Sequence, residues 1–437
     1  MSLSKNPAFN LKAVLQETNI AADTLRAWER RYGLPMPQRT AGGHRHYSQY
    51  DIETIKWLLA RQSEGLSISH AVDSWNEKIA SGTDPLAVAT SQSLSTPTTL
   101  KLPSETNMDT LRALWLSACL EFNEAKAEEV LNQAFALHSI ESVCIELLQR
   151  GLSEIGDQWL ENQASVQQEH FTSALAIRRM NTLISASPAP TRKQTILVGC
   201  PAEEAHTFTP LLISFFLRRR GFNVIYLGAN VPDERFEETV NFVRADLVVL
   251  VAQQLITAAS LQKTAHMLAQ HNIPVAFGGR IFALQPQIFR NITGFYLGSK
   301  IKDSFEQIED LASTKVKSPQ AIPVAQKYET AATEFQLHRS NIEATLNQFI
   351  DSLGNSEEAM KTATKFLGDN IIAALHLGDI SLVEGELDWV KTLIKANHIP
   401  EIALTEYIKM YAKAVDSNIN DSGRLISEWL NKLAHSD

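Results

Sequence analysis

The sequence predicts a multidomain chain: an all-α winged helix-turn-helix module, a helical bundle, an α/β segment built on a parallel sheet, and a helical C-terminal segment. Three observations carry this. Apolar residues recur at helical spacing from Met108 to about Ser185, where Gly and Pro are scarce. From residue 193 onward short β-branched runs alternate with helical stretches, the grammar of a parallel sheet covered on both faces. Between the N-terminal module and the bundle, residues 79–107 are rich in Ser, Thr, Gln and Pro and hold no aromatic residue, as a linker would.

Taken in order, the expected units are residues 8–78, the linker 79–107, a bundle over 108–187, the sheet over 193–316 and a helical domain over 325–437. The first begins with a short helix from residue 11, a turn at Thr18-Asn19-Ile20 and a second helix from about Ala22 to Tyr32. The stretch from Leu34 to Tyr47, with two prolines and a double glycine flanked by cations, reads as a wing. Four or five amphipathic helices follow in the bundle. The strands are expected at Thr195–Gly199, Asn223–Gly228, Asp246–Val251, Ile273–Phe277 and Gly294–Gly298. In such sheets ligands bind outside the carboxyl ends of the strands, so the residues just after each run are the candidates for a site. The last segment keeps helical periodicity and carries Trp389 and Trp429, which suits a packed bundle serving as a dimerisation element or a partner site.

Composition excludes several classes. The three cysteines (Cys119, Cys144, Cys200) show no CxxC pairing, which argues against a disulfide framework or a structural zinc site and for a reducing, cytoplasmic location. No apolar run approaches the roughly 18–20 residues that cross a bilayer, so no membrane is expected. The net charge of −9 hides an asymmetry: residues 1–80 hold ten Lys/Arg against eight Asp/Glu. Arg26, Arg30, Arg31, Arg39 and Arg45 stand within twenty residues that contain one acid, Glu29. A phosphate-seeking patch on an acidic molecule points to double-stranded DNA.

A helix-turn-helix lays its second helix in the major groove, where Arg donates to guanine and Thr meets a thymine methyl. Thr24-Leu-Arg-Ala-Trp28-Glu-Arg-Arg-Tyr-Gly-Leu-Pro35, then Gln38-Arg-Thr40 and Gly43-His-Arg-His-Tyr47, resembles the DNA-binding domain of the MerR family. That resemblance implies DNA-facing roles for Thr24, Arg26, Arg30, Arg31, Arg39, Arg45 and Tyr47, and dimeric binding to a pseudo-palindromic operator. Trp28 is either core or contact. The family's Ser cap before the second helix is Ala21 here, leaving Asn19 or Asp23 to start it. The linker replaces the long helix through which members commonly dimerise.

Two further constellations stand downstream. Trp159 precedes Glu169-His170, a pattern that on its own fits a core Trp and a surface pair as well as a site. Directly after the first strand of the sheet comes Glu204-Ala-His206, where an imidazole could ligate a transition metal and the acid could orient its ring. No set of three or four zinc ligands accompanies it, and a lone axial His suits a metal already held in a macrocycle. The combination resembles cobalamin-binding domains of the methionine-synthase type, in which an E/DxHxxG loop supplies the lower axial ligand. The resemblance implies a Rossmann-like, flavodoxin-like sheet, His206 as cobalt ligand and Glu204 as its partner. It also implies Gly278-Gly279 as the glycine pair admitting the nucleotide tail, and Trp159, Glu169 and His170 as a helical cap over the upper face, as in MerR-type cobalamin photoreceptors. Thr209 stands at the glycine of the His loop, and Gln253-Gln-Leu255 at the usual Ser-x-Leu, all counted with the cofactor site. Leu160 stands where some members carry a His beside the Trp.

The expected function is therefore that of a transcription regulator, a repressor by resemblance, and not an enzyme. A corrinoid, adenosylcobalamin by resemblance, would control its homo-oligomerisation and DNA affinity in response to light. Two rivals stay open: a ligand-free repressor with a degenerate cobalamin fold, and a corrinoid methyl-transfer protein.

Overall fold

A computed structural model describes residues 4–18, 20–39, 43, 45–63, 67–80, 84–86, 107–161, 163–314, 316–350, 357–387 and 401–435. The chain forms two compact units, Met1–Thr106 and Asn107–Asp437. Among the described residues no helix is long and apolar enough to cross a membrane.

The first unit comprises β1 (Pro7–Asn10), α1 (Leu11–Thr18), α2 (Ala22–Tyr32), β2 (Gln38–Arg39), β3 (Arg45–Ser48), α3 (Gln49–Ser63) and α4 (Ile68–Ala80). It is not all-α, as the sequence suggested. The three strands form an antiparallel sheet in the order β1-β3-β2, because the chain just before α1 pairs with the second strand of the wing. Strands of two to four residues without clean alternation leave little signal in a sequence. Val14, Leu25, Trp28, Tyr47, Ile52, Ile55 and Leu58 make the core. Trp28 is thus core: it lies three residues after Leu25, on the same face of α2. The N-cap Ala21 makes no side-chain cap bond, and Asn19 lies outside the described residues, as does nearly all of the linker.

The second unit opens with α5 (Met108–Leu120) and α6 (Glu124–Leu137), each started by an Asn side chain that accepts from the third residue's N–H. A helical turn at Ile140–Ser142 and a π-helical stretch, Val143–Gln149, lead into α7 (Arg150–Leu160). A capping box between Ser165 and Gln168 starts α8 (Val166–Ser185). The sheet segment then runs β4 (Thr195–Gly199), α9 (Phe208–Arg219), β5 (Asn223–Gly228), α10 (Phe236–Val243), β6 (Leu247–Val251) and α11 (Leu255–Gln270). It continues with β7 (Val275–Gly278), α12 (Arg280–Leu284), β8 (Phe295–Tyr296) and α13 (Ile301–Ser313). Strands β6 and β7 start later than expected for clear reasons. Asp246 spends its side chain on the Thr195 N–H, and Pro274 has a carbonyl to offer Val248 but no N–H.

All five strands are parallel, in the order β5-β4-β6-β7-β8. The winding reverses between β4 and β6, so the loops after those two strands flank the switch point. Alternation along the strands sends Ile196, Val198, Leu247, Val249 and Val251 to one face and Leu197, Val248 and Leu250 to the other. The first face carries α9, α13 and, beyond them, the bundle α5–α8.

The second face carries the C-terminal helices: α14 (Gln326–Ile350), α15 (Glu357–His376), α16 (Glu401–Asn418) and α17 (Arg424–Leu433). They do not stand apart as an independent core, because α15 lies along α11 and their apolar residues join one cluster with the sheet. Trp429 is buried there, whereas Trp389 lies outside the described residues.

Candidate corrinoid and DNA sites

At the switch point the loop after β4 folds back on a buried carboxylate. Glu204 is 0% exposed, and its two oxygens take four hydrogen bonds. Oε1 accepts from the His206 backbone N–H at 2.9 Å and faces His206 Nδ1 at 2.6 Å. Oε2 accepts from the Gln253 N–H at 2.6 Å and from Thr257 Oγ1 at 2.7 Å. Burial alone would raise the Glu204 pKa, but these bonds outweigh it and hold the group below its ordinary value. The same hydrogen bond is the main cause that raises His206 above its ordinary value; burial opposes it, and the Glu169 charge adds to it.

The consequence is a fixed ring. With Nδ1 engaged by Glu204, His206 keeps its side chain 58% exposed, which leaves Nε2 as the nitrogen able to ligate. The loop is pinned further by Asn230, whose side chain accepts from the Glu203 N–H and whose N–H donates to the Glu204 carbonyl. Among the described residues no group of three or more His, Cys, Asp or Glu could hold a metal ion by itself. A single positioned imidazole fits a metal whose other positions a macrocycle fills.

Thr257 escaped the sequence reading. Gln253 stands where a hydroxyl was expected, and the structure supplies that hydroxyl from the first turn of α11 instead. Gln253 contributes its backbone N–H to Glu204, while its side-chain Oε1 accepts from the Arg280 N–H at 2.8 Å, tying the β6 loop to the glycine turn. The usable signal was a Thr two residues after Leu255, on the helix that opens at the switch point. Leu255 itself is a correction: it is fully buried in the core beneath the site. Thr209 is half-buried in the first turn of α9.

The two glycines differ. A Cβ at Gly279, where φ is +133°, would fall 1.8 Å from the Ala252 carbonyl oxygen, so the chain's own packing requires this glycine. A Cβ at Gly278 would meet nothing closer than Leu297 at 3.8 Å. The fold does not demand that glycine, and its open side is a cradle a ligand could occupy.

The α7–α8 corner converges on the same place. Trp159, near the end of α7, is 38% exposed and not in the core. Glu169 and His170, in the first turn of α8, pair at 2.8 Å, and Ser173 donates to the other Glu169 oxygen. Gln168 fastens this turn to α5 through the Leu120 carbonyl at 2.7 Å. Asp157 of α7 reaches Arg280 of α12 at 3.7 Å. Asp157 of α7 and the Glu169 charge felt at His206 are what link the corner carrying Trp159, Glu169 and His170 to the loops of His206, Glu204, Gln253, Gly278 and Gly279.

In the first unit Thr24, Arg26, Arg30, Arg31 and Arg39 are exposed. Arg26 and Arg30, four apart, share the face of α2 opposite Leu25 and Trp28. One expectation is corrected. Tyr47 is fully buried, its hydroxyl donating to Glu29 Oε1 at 2.6 Å, so it does not face DNA. Arg45 is engaged with Glu29 Oε2 at 2.7 Å. The lone acid of the basic stretch thus ties α2 to the wing, and burial together with this hydrogen bond raises the Tyr47 pKa well above its ordinary value.

Family models match over residues 9–77 (MerR HTH family regulatory protein), 111–184 (B12 binding domain) and 194–298 (B12 binding domain). The chain is 30% identical over 278 residues to the HTH-type transcriptional repressor CarA of Myxococcus xanthus, covering 62% of this chain and 85% of that protein. The chain belongs to the MerR-type regulators that carry B12-binding domains. The repressor CarH of the same organism is 27% identical over 274 residues, 62% of this MerR regulator and 88% of CarH. Among solved structures, the monomethylamine corrinoid protein of Methanosarcina barkeri covers 47% of this regulator and all of that chain, at 14% identity and a TM-score of 0.41. The matched family segments of the regulator end at residue 298, before the C-terminal helices begin.

Proposed function

We propose that this regulator is a cytoplasmic transcriptional repressor. Its affinity for a pseudo-palindromic DNA operator is set by a corrinoid, adenosylcobalamin, held between the α7–α8 corner and the carboxyl ends of β4, β6 and β7. The observation that carries the reading is the buried Glu204 fixing His206 with Nε2 outward. His206 would hold the cobalt from below, Glu204 and Thr257 would hold His206, and the Gly278 cradle would accept the nucleotide tail. Trp159, Glu169 and His170 would line the upper side.

An alkyl–cobalt bond broken by visible light is the chemistry such a group would supply. The chain's own contribution is a corner of two helices whose position depends on what fills the space beneath it. A shift of α7 and α8 would alter the surface through which copies of the chain associate into a homo-oligomer. Because the net charge is −9, operator affinity rests on the basic N-terminal modules, and joining several of them raises their effective concentration at the DNA. The kinship with the transcriptional repressors CarA and CarH supports repression as the outcome of DNA binding.

The test is size-exclusion chromatography and operator binding of the adenosylcobalamin-treated protein, in the dark and after green light. The expected result is a larger, tighter-binding species in the dark and a smaller, weaker one after illumination. A corrinoid-loaded protein with the same size and affinity in both conditions would remove light as the signal.

A further inference from the structure

A short helix stands between the glycine turn and the C-terminal helices. Gly278 and Gly279 lead directly into α12, whose residues Arg280–Leu284 carry the chain about 7–8 Å. Glycines do not fix their own direction, and Gly279 has no side chain with which to cap the helix that follows. Packing on the Ala252 carbonyl limits the turn from one side. The rest of its position comes from what holds α12 at its two ends.

At the start, on the side of the cleft, the Arg280 N–H donates to Gln253 Oε1 at 2.8 Å. At the end stands Gln285, 7% exposed, whose Nε2 donates to the Leu382 carbonyl at 3.1 Å. Leu382 belongs to a 3-10 segment, Ile380–Glu386, that follows α15. Gly385 of that segment faces the clamp: a Cβ there would fall 2.6 Å from Gln285 Nε2, so only glycine lets the backbone approach the amide this closely. Farther on, Asn291 closes the 3-10 stretch Pro286–Asn291 and donates from Nδ2 to the Leu377 carbonyl, just after α15. Ile281, Phe282 and Ile288 share one buried cluster with Leu377, Leu382 and Val383. On its far side the segment 380–386 is tied to α17, where Trp429 Nε1 donates to Glu384 at 3.2 Å. The stretch 280–291 is thus bonded to helices that lie outside the matched family segments.

We propose that Gln285 is a positioning residue for the nucleotide tail: clamped to the C-terminal helices, it holds α12 and so keeps the Gly278 cradle at the width the tail needs. This rests on the corrinoid reading above and adds that selection for a tailed corrinoid depends on the C-terminal helices. The clamp is one neutral hydrogen bond, and its specificity comes from its place. Loosening it acts along α12 on the glycine turn, whereas His206 is held separately, by Glu204 and Thr257.

Titration of the full chain in the dark with adenosylcobalamin and with adenosylcobinamide, which lacks the tail, tests the proposal, and a melting curve reports the folding of each variant. Wild type should bind the tailed corrinoid more tightly. Gln285→Met keeps the volume and loses the donor; it should lower adenosylcobalamin affinity by about 3–10-fold, the scale of one buried hydrogen bond, and leave adenosylcobinamide affinity unchanged. Gly385→Ala displaces the amide from the other side of the contact and should do the same. Unchanged adenosylcobalamin affinity in a folded variant, or an equal fall for both corrinoids, overturns the proposal. So does a wild type that binds the two corrinoids equally, because no tail cradle then exists. A wild type that takes up neither removes the functional reading itself, and this inference with it.

Discussion

The Glu204 carboxylate stands 2.6 Å from Nδ1 of His206, and it is wholly buried while the ring it holds is more than half exposed. A buried acid turned toward a solvent-facing imidazole is costly unless every lone pair is used. Here the oxygens accept from the His206 and Gln253 backbones and from Thr257 as well. The arrangement fixes which nitrogen of His206 faces outward.

Glu204→Gln keeps the shape but turns an acceptor into a donor opposite the Gln253 N–H or the His206 ring. Corrinoid retention should fall by about 10–100-fold, the usual effect of removing a ligand's partner. Loss of the hydrogen bonds should also lower thermal stability, by about 1–3 kcal/mol. Titration with hydroxocobalamin and a melting curve measure the two; unchanged retention would mean that Glu204 does not position the ring.

Thr257→Val removes one hydroxyl at nearly constant volume. It should weaken corrinoid binding in the same direction as Glu204→Gln, and Thr257→Ser should restore it. Equal binding by the Val and Ser variants would show that the hydroxyl is not used.

How far these residues could be read from the sequence depended on where their signal lay. Glu204 and His206 sit together in one short motif after an unmistakable strand, and the strands themselves are continuous apolar runs. Thr257 could not be found that way. Its role depends on α11 starting beside the β4 loop, a relation across 53 residues that only the parallel sheet creates. Tyr47 misled for the opposite reason: in a basic stretch it looks available, but it is buried and bonded to Glu29, itself visible as the lone acid, which also engages Arg45. The C-terminal helices read as a separate bundle because periodicity shows that a face is apolar and not what it packs against.

Gly278→Ala and Gly279→Ala should separate ligand from fold. The added methyl at Gly278 meets only Leu297 at ordinary contact distance, so stability should change little while corrinoid retention falls. At Gly279 the methyl collides with the Ala252 carbonyl, and the soluble yield or melting temperature should drop whether or not corrinoid is present. Equal retention by Gly278→Ala and wild type would place the tail elsewhere.

In the DNA module, Arg26→Ala should weaken specific operator binding by about 1–3 kcal/mol and relax sequence preference. Glu29→Gln should act differently, because it loosens the wing by weakening its bonds to Arg45 and Tyr47. Binding to operator and to random DNA should then fall together. Fluorescence anisotropy on both duplexes distinguishes them, and a selective loss in Glu29→Gln would contradict this account.

Glu128 offers a test by pH. Burial would raise its pKa, but hydrogen bonds from Arg178 and Arg179 outweigh that and hold it lowered. A lowered folded pKa contributes stability above the unfolded value, and that contribution disappears as pH falls through the folded one. With its side chain 26% exposed the group contributes under about 1 kcal/mol. Glu128→Gln should therefore melt lower than wild type at neutral pH and converge with it in acid. A constant difference at all pH values would count against the pairing.

The most direct test of the central claim is the absorption spectrum of the protein loaded with adenosylcobalamin in the dark, compared between wild type and His206→Ala. If His206 holds the cobalt, the wild type retains the chromophore through gel filtration with an imidazole-ligated spectrum. The variant should then shift to the base-off form and lose most of its chromophore. Identical spectra and retention in the two proteins would contradict the account.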